Sequence, residues 1–298
     1  MTGSFLSIAL TGGFMTGLGV TLAGLLAIAS RRLQVDEDPR IDAVEEMLPK
    51  ANCGACGTAG CRAFAEAVVQ GQIEPVKCTV NPPEMTQAIA DFLGVEAGQQ
   101  EKLVARLACA GGSHVAYERA RYQGLQTCRA ASLVSGGTKG CVWGCLGLGD
   151  CEAVCNFGAI HMNKYGLPIV DENKCVACND CVTVCPKDLF SLQPVSHQLW
   201  IACKNRDAAD EGEAHCEVVC TACGRCAADA PEGLIKIENN LAVIDYTKNA
   251  LASRIAIERC PTGAIVWLDR DKGAVKGAEA KRVTRKEPLP RAEPLPRV

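Results

Sequence analysis

Twenty cysteines punctuate this chain, and sixteen of them fall into runs with short, recurring gaps. The most regular run is Cys175, Cys178, Cys181 and Cys185 followed by Pro186, with two, two and three residues between cysteines. Thiolates at this spacing are ligands for [4Fe–4S] clusters. In a two-cluster ferredoxin the first three hold one cluster and the fourth reaches across to the other. Such a site implies transfer of single electrons. Disulfides would require an oxidising compartment, and the Cys-x-x-Cys pairs argue against them. Four-cysteine zinc also uses C-x-x-C pairs, but the neighbouring ferredoxin spacing favours iron.

Three other runs extend the pattern. Cys53, Cys56 and Cys61 lie on or beside the glycine-rich loop 52–57, and sixteen residues separate Cys61 from Cys78, giving one four-ligand site. Cys141, Cys145, Cys151 and Cys155 have three, five and three residues between them, with Asn156 where the regular motif has proline. Paired with the Cys175 run, this reads as a two-cluster ferredoxin with an insertion in its first loop. Crossed ligation predicts one cluster on Cys141, Cys145, Cys151 and Cys185, and another on Cys175, Cys178, Cys181 and Cys155. Finally, Cys220, Cys223 and Cys226 precede Ala230-Pro231, and Cys260-Pro261 ends a motif whose first three positions are Ala250, Ser253 and Ala256. Crossed ligation assigns Cys220, Cys223, Cys226 and Cys260 to one cluster. All four vacated positions then belong to a second, emptied socket.

The expectation is four [4Fe–4S] clusters. Cys109, Cys128, Cys203 and Cys216 remain, either as small buried hydrophobes or with a further metal or redox role. Twelve residues separate Cys128 from Cys141 and Cys203 from Cys216, which hints at an internal repeat. His114, His161, His197 and His215 complete no ligand set. No strand-linked G-x-G-x-x-G or P-loop is present, so no catalytic residue and no NAD or flavin site is expected here.

The elements that must position these cysteines can be read in outline. Residues Phe5 to Ala29 carry no charged side chain. As a helix they span about 37 Å, enough to cross a hydrocarbon core of ~30 Å. Arg31 and Arg32 follow, which by the positive-inside rule puts the remainder in the cytoplasm. A signal peptide fits poorly, because the apolar run is long and no basic stretch precedes it. Gly13 and Gly17 form a G-x-x-x-G pair that lets another helix approach closely. Asp38 and Pro39 open a helix to about Met47. Short strands flank Gly166, and Asn239-Asn240 joins two more in a hairpin.

Aromatic residues are only 4% and net charge is −3, so no basic, aromatic-interleaved stripe supports nucleic-acid binding. The fold class expected is α+β: a single transmembrane helix (1–30), a small helical four-cysteine module (31–92) and a connecting segment (93–135). A two-cluster ferredoxin (136–198), a degenerate one-cluster ferredoxin (199–272) and a disordered, proline-rich tail (273–298) follow.

The glycine-rich anchor, the Cys53/Cys56/Cys61/Cys78 module and the tandem ferredoxin motifs together resemble the B-subunit family of the Rnf complex, in its longer form. Residues 144–151 (GCLGLGDC) and 241–246 (LAVIDY) are also similar to that family. The resemblance covers about residues 4–270. It implies an electron-transfer subunit that accepts electrons from soluble reduced ferredoxin. It also implies membrane and peripheral partner subunits that reduce NAD⁺ and pump Na⁺ or H⁺ at a prokaryotic inner membrane. The alternative is a membrane-bound polyferredoxin serving another oxidoreductase or hydrogenase.

Overall fold

The computed structural model describes residues 2–33, 38–285 and 287–289. Helix α1 (Thr2–Leu33) contains one stretch, Leu10–Arg32, long and apolar enough to cross a membrane, and every side chain along that stretch is exposed. Its threonines donate their hydroxyls to carbonyls one turn back, Thr16 to Gly12 at 2.7 Å and Thr21 to Gly17 at 3.0 Å. These hydroxyls are satisfied within the helix, as an apolar surround demands.

Three helices build the first module: α2 (Pro39–Glu46), α3 (Cys61–Val69) and α4 (Pro83–Leu93). The Asp38 carboxylate caps α2 by accepting from the Arg40 N–H at 2.9 Å. Apolar residues one helical turn apart converge on Phe64, Val44 and Ile89, all within 1% of full burial. Arg62 on α3 ties back to Asp42 and Glu45 on α2 at 2.9 and 2.7 Å.

The remaining chain folds as two copies of one plan. In the first, strand β1 (Leu103–Leu107) precedes α5 (Cys128–Leu133) and α6 (Asp150–Ala153). The hairpin β2 (Ile160–Met162) and β3 (Pro168–Val170) leads to α7 (Asp180–Val184) and β4 (Phe190–Pro194). In the second, β5 (Leu199–Ile201) precedes α8 (Ala209–His215) and α9 (Arg225–Asp229). The hairpin β6 (Ile235–Glu238) and β7 (Leu241–Ile244) leads to α10 (Ile255–Glu258), β8 (Ile265–Asp269) and β9 (Gly273–Val275). Each copy closes by pairing its outer strands antiparallel, Leu107 opposite Phe190 and Ile201 opposite Ile265.

Single backbone bonds repeat as well. Ala108 N–H donates to Leu189 and Ala202 N–H to Ala264, both at 2.8 Å. Asp171 N–H donates to Ala159 at 2.7 Å and Asp245 N–H to Leu234 at 2.8 Å. Asn239 and Asn240 both take positive φ (48° and 59°), the twist a two-residue hairpin turn needs. The copies meet through Ala110 N–H to Ala202 (2.9 Å), Tyr117 N–H to His215 (3.0 Å), and the Trp200 indole to Leu107 (3.0 Å).

Two sequence expectations are corrected. The segment 93–135 is more than a connector, because β1 lies in it and pairs along its whole length with β4. Arg106 hid this strand: it interrupts the apolar run, yet it is 6% exposed and paired with Glu172 at 3.1 Å. The tail is not uniformly disordered from residue 273. Gly273–Val275 pairs with β8, Ala280 is buried, and Arg285 bonds Glu217 and the His114 carbonyl at 3.2 and 3.0 Å. Leu289 N–H then reaches Ser113 at 2.9 Å. Residues 286 and 290–298 of the expected tail lie outside the described residues.

Candidate iron–sulfur centres

Three cysteine loops share one backbone path. In Cys175–Cys181, positive φ falls at Ala177 (58°) and Asn179 (74°); in Cys220–Cys226, at Ala222 (52°) and Gly224 (76°); in Cys145–Cys151, at Gly147 (75°) and Gly149 (81°). The last left-handed residue of each then starts a short helix, α7, α9 or α6. This path turns backbone N–H groups inward and places side chains around a hollow. The five-residue gap from Cys145 to Cys151 therefore needs no insertion: it matches Cys175 to Cys181 and Cys220 to Cys226. Leu148 stands where those loops carry Cys178 and Cys223.

The cysteines ring small hollows. Cys53, Cys56, Cys61 and Cys78 surround one between α3 and the preceding loop. Cys155, Cys175, Cys178 and Cys181 surround another, with Ala105 of β1 and Ile160 of β2 in its wall. A third holds Cys145, Cys151 and Cys185. Its fourth cysteine is Cys128, whereas the sequence grouping put Cys141 there. Asp150 holds Cys128 in place, its carboxylate accepting from the N–H groups of Cys128 (2.9 Å) and Arg129 (3.1 Å) at the start of α5. Cys141 instead faces a cavity with Cys109, Cys203 and Cys216.

Cys220, Cys226 and Cys260 pack together in the core of the second copy, with Cys223 close enough to interact with Cys226. Of the positions read as an emptied socket, two stay at this core and one does not. Ala256 is 1% exposed and Ala230 packs on the same apolar core, while Ala250 faces solvent.

Backbone N–H groups aim at the sulfurs. Ala159 donates to Cys155 at 3.3 Å and Leu189 to Cys185 at 3.5 Å, each four residues on. Ala105 donates to Cys175 at 3.4 Å. Cys145, Cys178 and Cys220 each accept from the N–H two residues on. Burial pushes the Cys145, Cys151, Cys181 and Cys226 thiols up to about 12, with neighbouring cysteines adding to the rise. Such groups become thiolates at neutral pH only against a strongly cationic partner.

The donor sets fit a cluster better than one ion. Four thiolates around zinc, at a Zn–S bond of ~2.3 Å, would hold their sulfurs about 3.8 Å apart. Among the described residues, no group of three or more His, Cys, Asp or Glu is arranged to hold a single metal ion. Four cysteines around a hollow, with N–H groups directed at sulfur, suit a multi-iron core.

The four histidines take no part. His197 stacks on Tyr246 with ring centroids 4.1 Å apart, His114 lies 3.9 Å from Tyr165, and His161 is exposed. The His215 ring packs against Gly140.

Loops, hollows and sulfur-directed N–H groups together define an iron–sulfur protein. Comparison with known families agrees. The family described as "Putative Fe-S cluster" matches residues 48–80, and the family described as "4Fe-4S binding domain" matches residues 167–190. The B subunit of the Na⁺-translocating ferredoxin:NAD⁺ oxidoreductase complex of Acetobacterium woodii is 40% identical over 85% of this chain and 74% of its own length. The B subunit of the ion-translocating oxidoreductase complex of Methanosarcina acetivorans is 36% identical over 84% of this chain and 95% of its own. The B subunit of the proton-translocating ferredoxin:NAD⁺ oxidoreductase complex of Clostridium ljungdahlii is 37% identical over 92% and 95%. The chain belongs to this family, the B subunits of ion-translocating oxidoreductase (Rnf) complexes.

Proposed function

We propose that this chain is the electron-carrying subunit of a membrane complex that oxidises reduced ferredoxin, reduces NAD⁺ and moves Na⁺ or H⁺. The family relation supports that role, and the relatives' names cover both ions. Helix α1 anchors the chain by a single pass, and Arg31 and Arg32 keep the cysteine domains on the cytoplasmic face of the inner membrane. A bound [4Fe–4S] cluster supplies a one-electron centre whose potential follows burial and the hydrogen bonds to its sulfurs. Hydride chemistry at NAD⁺ belongs to a flavin on another subunit.

The chain's own residues hold and space four such centres. Their ligands are Cys53/Cys56/Cys61/Cys78, Cys155/Cys175/Cys178/Cys181, Cys128/Cys145/Cys151/Cys185 and Cys220/Cys223/Cys226/Cys260. The observation that carries the reading is the contact between the first two sets. The Thr79 hydroxyl, next to Cys78, donates to the carbonyl of Val176, next to Cys175, at 2.6 Å. Helices α6 and α7 then link the second set to the third, since Cys151 and Cys155, and Cys181 and Cys185, sit one turn apart across the two hollows. The membrane-proximal module is thus joined to the ferredoxin copies without a flexible gap.

The reading is tested in membranes of the host lacking this chain. Ferredoxin-dependent NAD⁺ reduction should disappear and return with the full chain. Undiminished activity in the deletion strain would refute it.

A further inference from the structure

Cys109, Cys141, Cys203 and Cys216 meet at the seam between the two ferredoxin-like copies, and they meet as two equivalent pairs. Cys109 lies two residues beyond the end of β1, and Cys203 lies two beyond the end of β5. Cys141 precedes Cys145 by four residues, and Cys216 precedes Cys220 by four. Each copy therefore contributes the same two positions to one cavity, as the other four-cysteine hollows are each ringed by four cysteines. The ring is thus made of two equivalent positions from each copy.

Every sulfur in the ring accepts a backbone N–H. Cys203 accepts from Asn205 at 3.4 Å and Cys220 at 3.3 Å, and Cys109 accepts from Cys145 at 3.5 Å. Cys141 and Cys216 accept from the residues two further on, Trp143 and Val218. That two-residue offset is the one found at Cys145, Cys178 and Cys220. Gly111 supplies part of the wall; a Cβ there would stand 3.2 Å from the Cys216 sulfur and 3.7 Å from that of Cys109.

A second observation is independent of the cysteines. Lys139 lines the same cavity at 8% exposure. Its ammonium donates to the carbonyls of Gly111 (2.5 Å) and Cys145 (2.6 Å), and among the described residues it has no carboxylate partner. A buried cation left with neutral acceptors alone is costly. Four thiolates around a cluster core carry net negative charge and would compensate it.

We propose that Cys109, Cys141, Cys203 and Cys216 ligate a further [4Fe–4S] cluster at this seam, which would bring the chain to five. The proposal rests on the electron-carrier reading for the identity of the group. It deepens that reading by supplying the connection between the third and last sets. Cys141 and Cys145 are within one loop, and Cys220 N–H touches the Cys203 sulfur, so the seam centre adjoins a ligand of each neighbour. A cluster held there would exchange single electrons with the centre on either side, with no proton or further reactant needed. Without it the Cys220/Cys223/Cys226/Cys260 site has no centre between itself and the middle pair.

The test uses the full chain, purified anaerobically in detergent. Iron and acid-labile sulfide should each approach about twenty per chain, and Cys216→Ala should bring both down to about sixteen. Low-temperature paramagnetic resonance of the reduced variant should lose one centre while the others persist. Lys139→Met provides a check that removes no ligand: the full iron count should remain, with the reduction potential of one centre moved downward. About sixteen irons in the parent, unchanged in Cys216→Ala, would overturn the seam cluster and leave the electron carrier intact. So would stoichiometric zinc beside sixteen irons. Little iron of any kind would instead defeat the electron-carrier reading itself.

Discussion

Cys128 reaches its cavity from outside the ferredoxin loop, and Asp150 pins the start of its helix there. Asp150→Ala removes two N–H···carboxylate bonds, of 2.9 and 3.1 Å. Bonds to charged groups contribute ~1.5–3 kcal/mol each when shielded. Asp150 is partly exposed, so a loss of about 2 kcal/mol for the pair is the working figure. That raises the population in which α5 has let go about 30-fold. Iron release to a chelator from this one cavity should accelerate by the same factor, followed anaerobically by visible absorption, with paramagnetic resonance reporting which centre fades. The loop geometry supplies an internal rescue. Leu148 occupies the place of Cys178 and Cys223 between two positive-φ glycines, so adding Leu148→Cys should bring release back towards the parent rate. Unchanged release in Asp150→Ala, or equal acceleration at every centre, would refute the assignment of Cys128. If Cys141→Ala rather than Cys128→Ala abolished this centre, the sequence grouping would be restored.

Other expectations follow from single contacts. Glu172→Ala strands the buried Arg106 guanidinium and should destabilise the first ferredoxin copy by about 3 kcal/mol in denaturant unfolding, while Arg106→Leu costs less because no buried charge is left behind. Thr79→Val removes the bond between the first module and the Cys175 loop. It should loosen their docking by about 1 kcal/mol, visible as faster amide exchange around Val176 with the iron content intact. Deleting residues 1–33 should release the protein from membranes with all clusters retained, because no cysteine lies there. Leucines at Gly13 and Gly17, where a Cβ meets nothing within 4 Å, should preserve insertion but weaken co-purification with partner subunits. Cys260→Ala should cost the centre it shares with Cys220, Cys223 and Cys226 and spare the others; unaltered spectra would place Cys260 outside that set.

Much of the cysteine grouping around the cavities was legible because such loops are local: their gaps are written in consecutive residues, and the cysteine that ends one loop lines the cavity of the other. The grouping around the cavities departs from that reading where the fourth cysteine comes from elsewhere. Cys128 belongs to no run, and Cys141 looked like a loop ligand because it sits just before Cys145. A signal was present in the matched five- and three-residue gaps of Cys145/Cys151/Cys155 and Cys175/Cys181/Cys185, which leave Leu148 at the missing position. The twelve-residue intervals hinted at a repeat but paired Cys128 with Cys203. The fold pairs Cys109 with Cys203 instead, since both follow an outer strand. β1 escaped notice because its buried Arg106 finds Glu172 only in the folded chain. The ordered part of the tail depends on partners more than sixty residues away, Glu217 and His114, and nothing local announces them.

The three loops keep one course although one carries leucine where the others carry their middle cysteine. The course is set by which residues accept a left-handed backbone: glycines at 147, 149 and 224, Ala and Asn at 177 and 179, Ala at 222. Shape and metal are therefore written in different residues. Replacing the middle thiol by leucine at position 148 leaves the chain path as it is in the other two loops. The number of thiols that a loop presents is thereby uncoupled from its course, and a point mutation could change the one without the other.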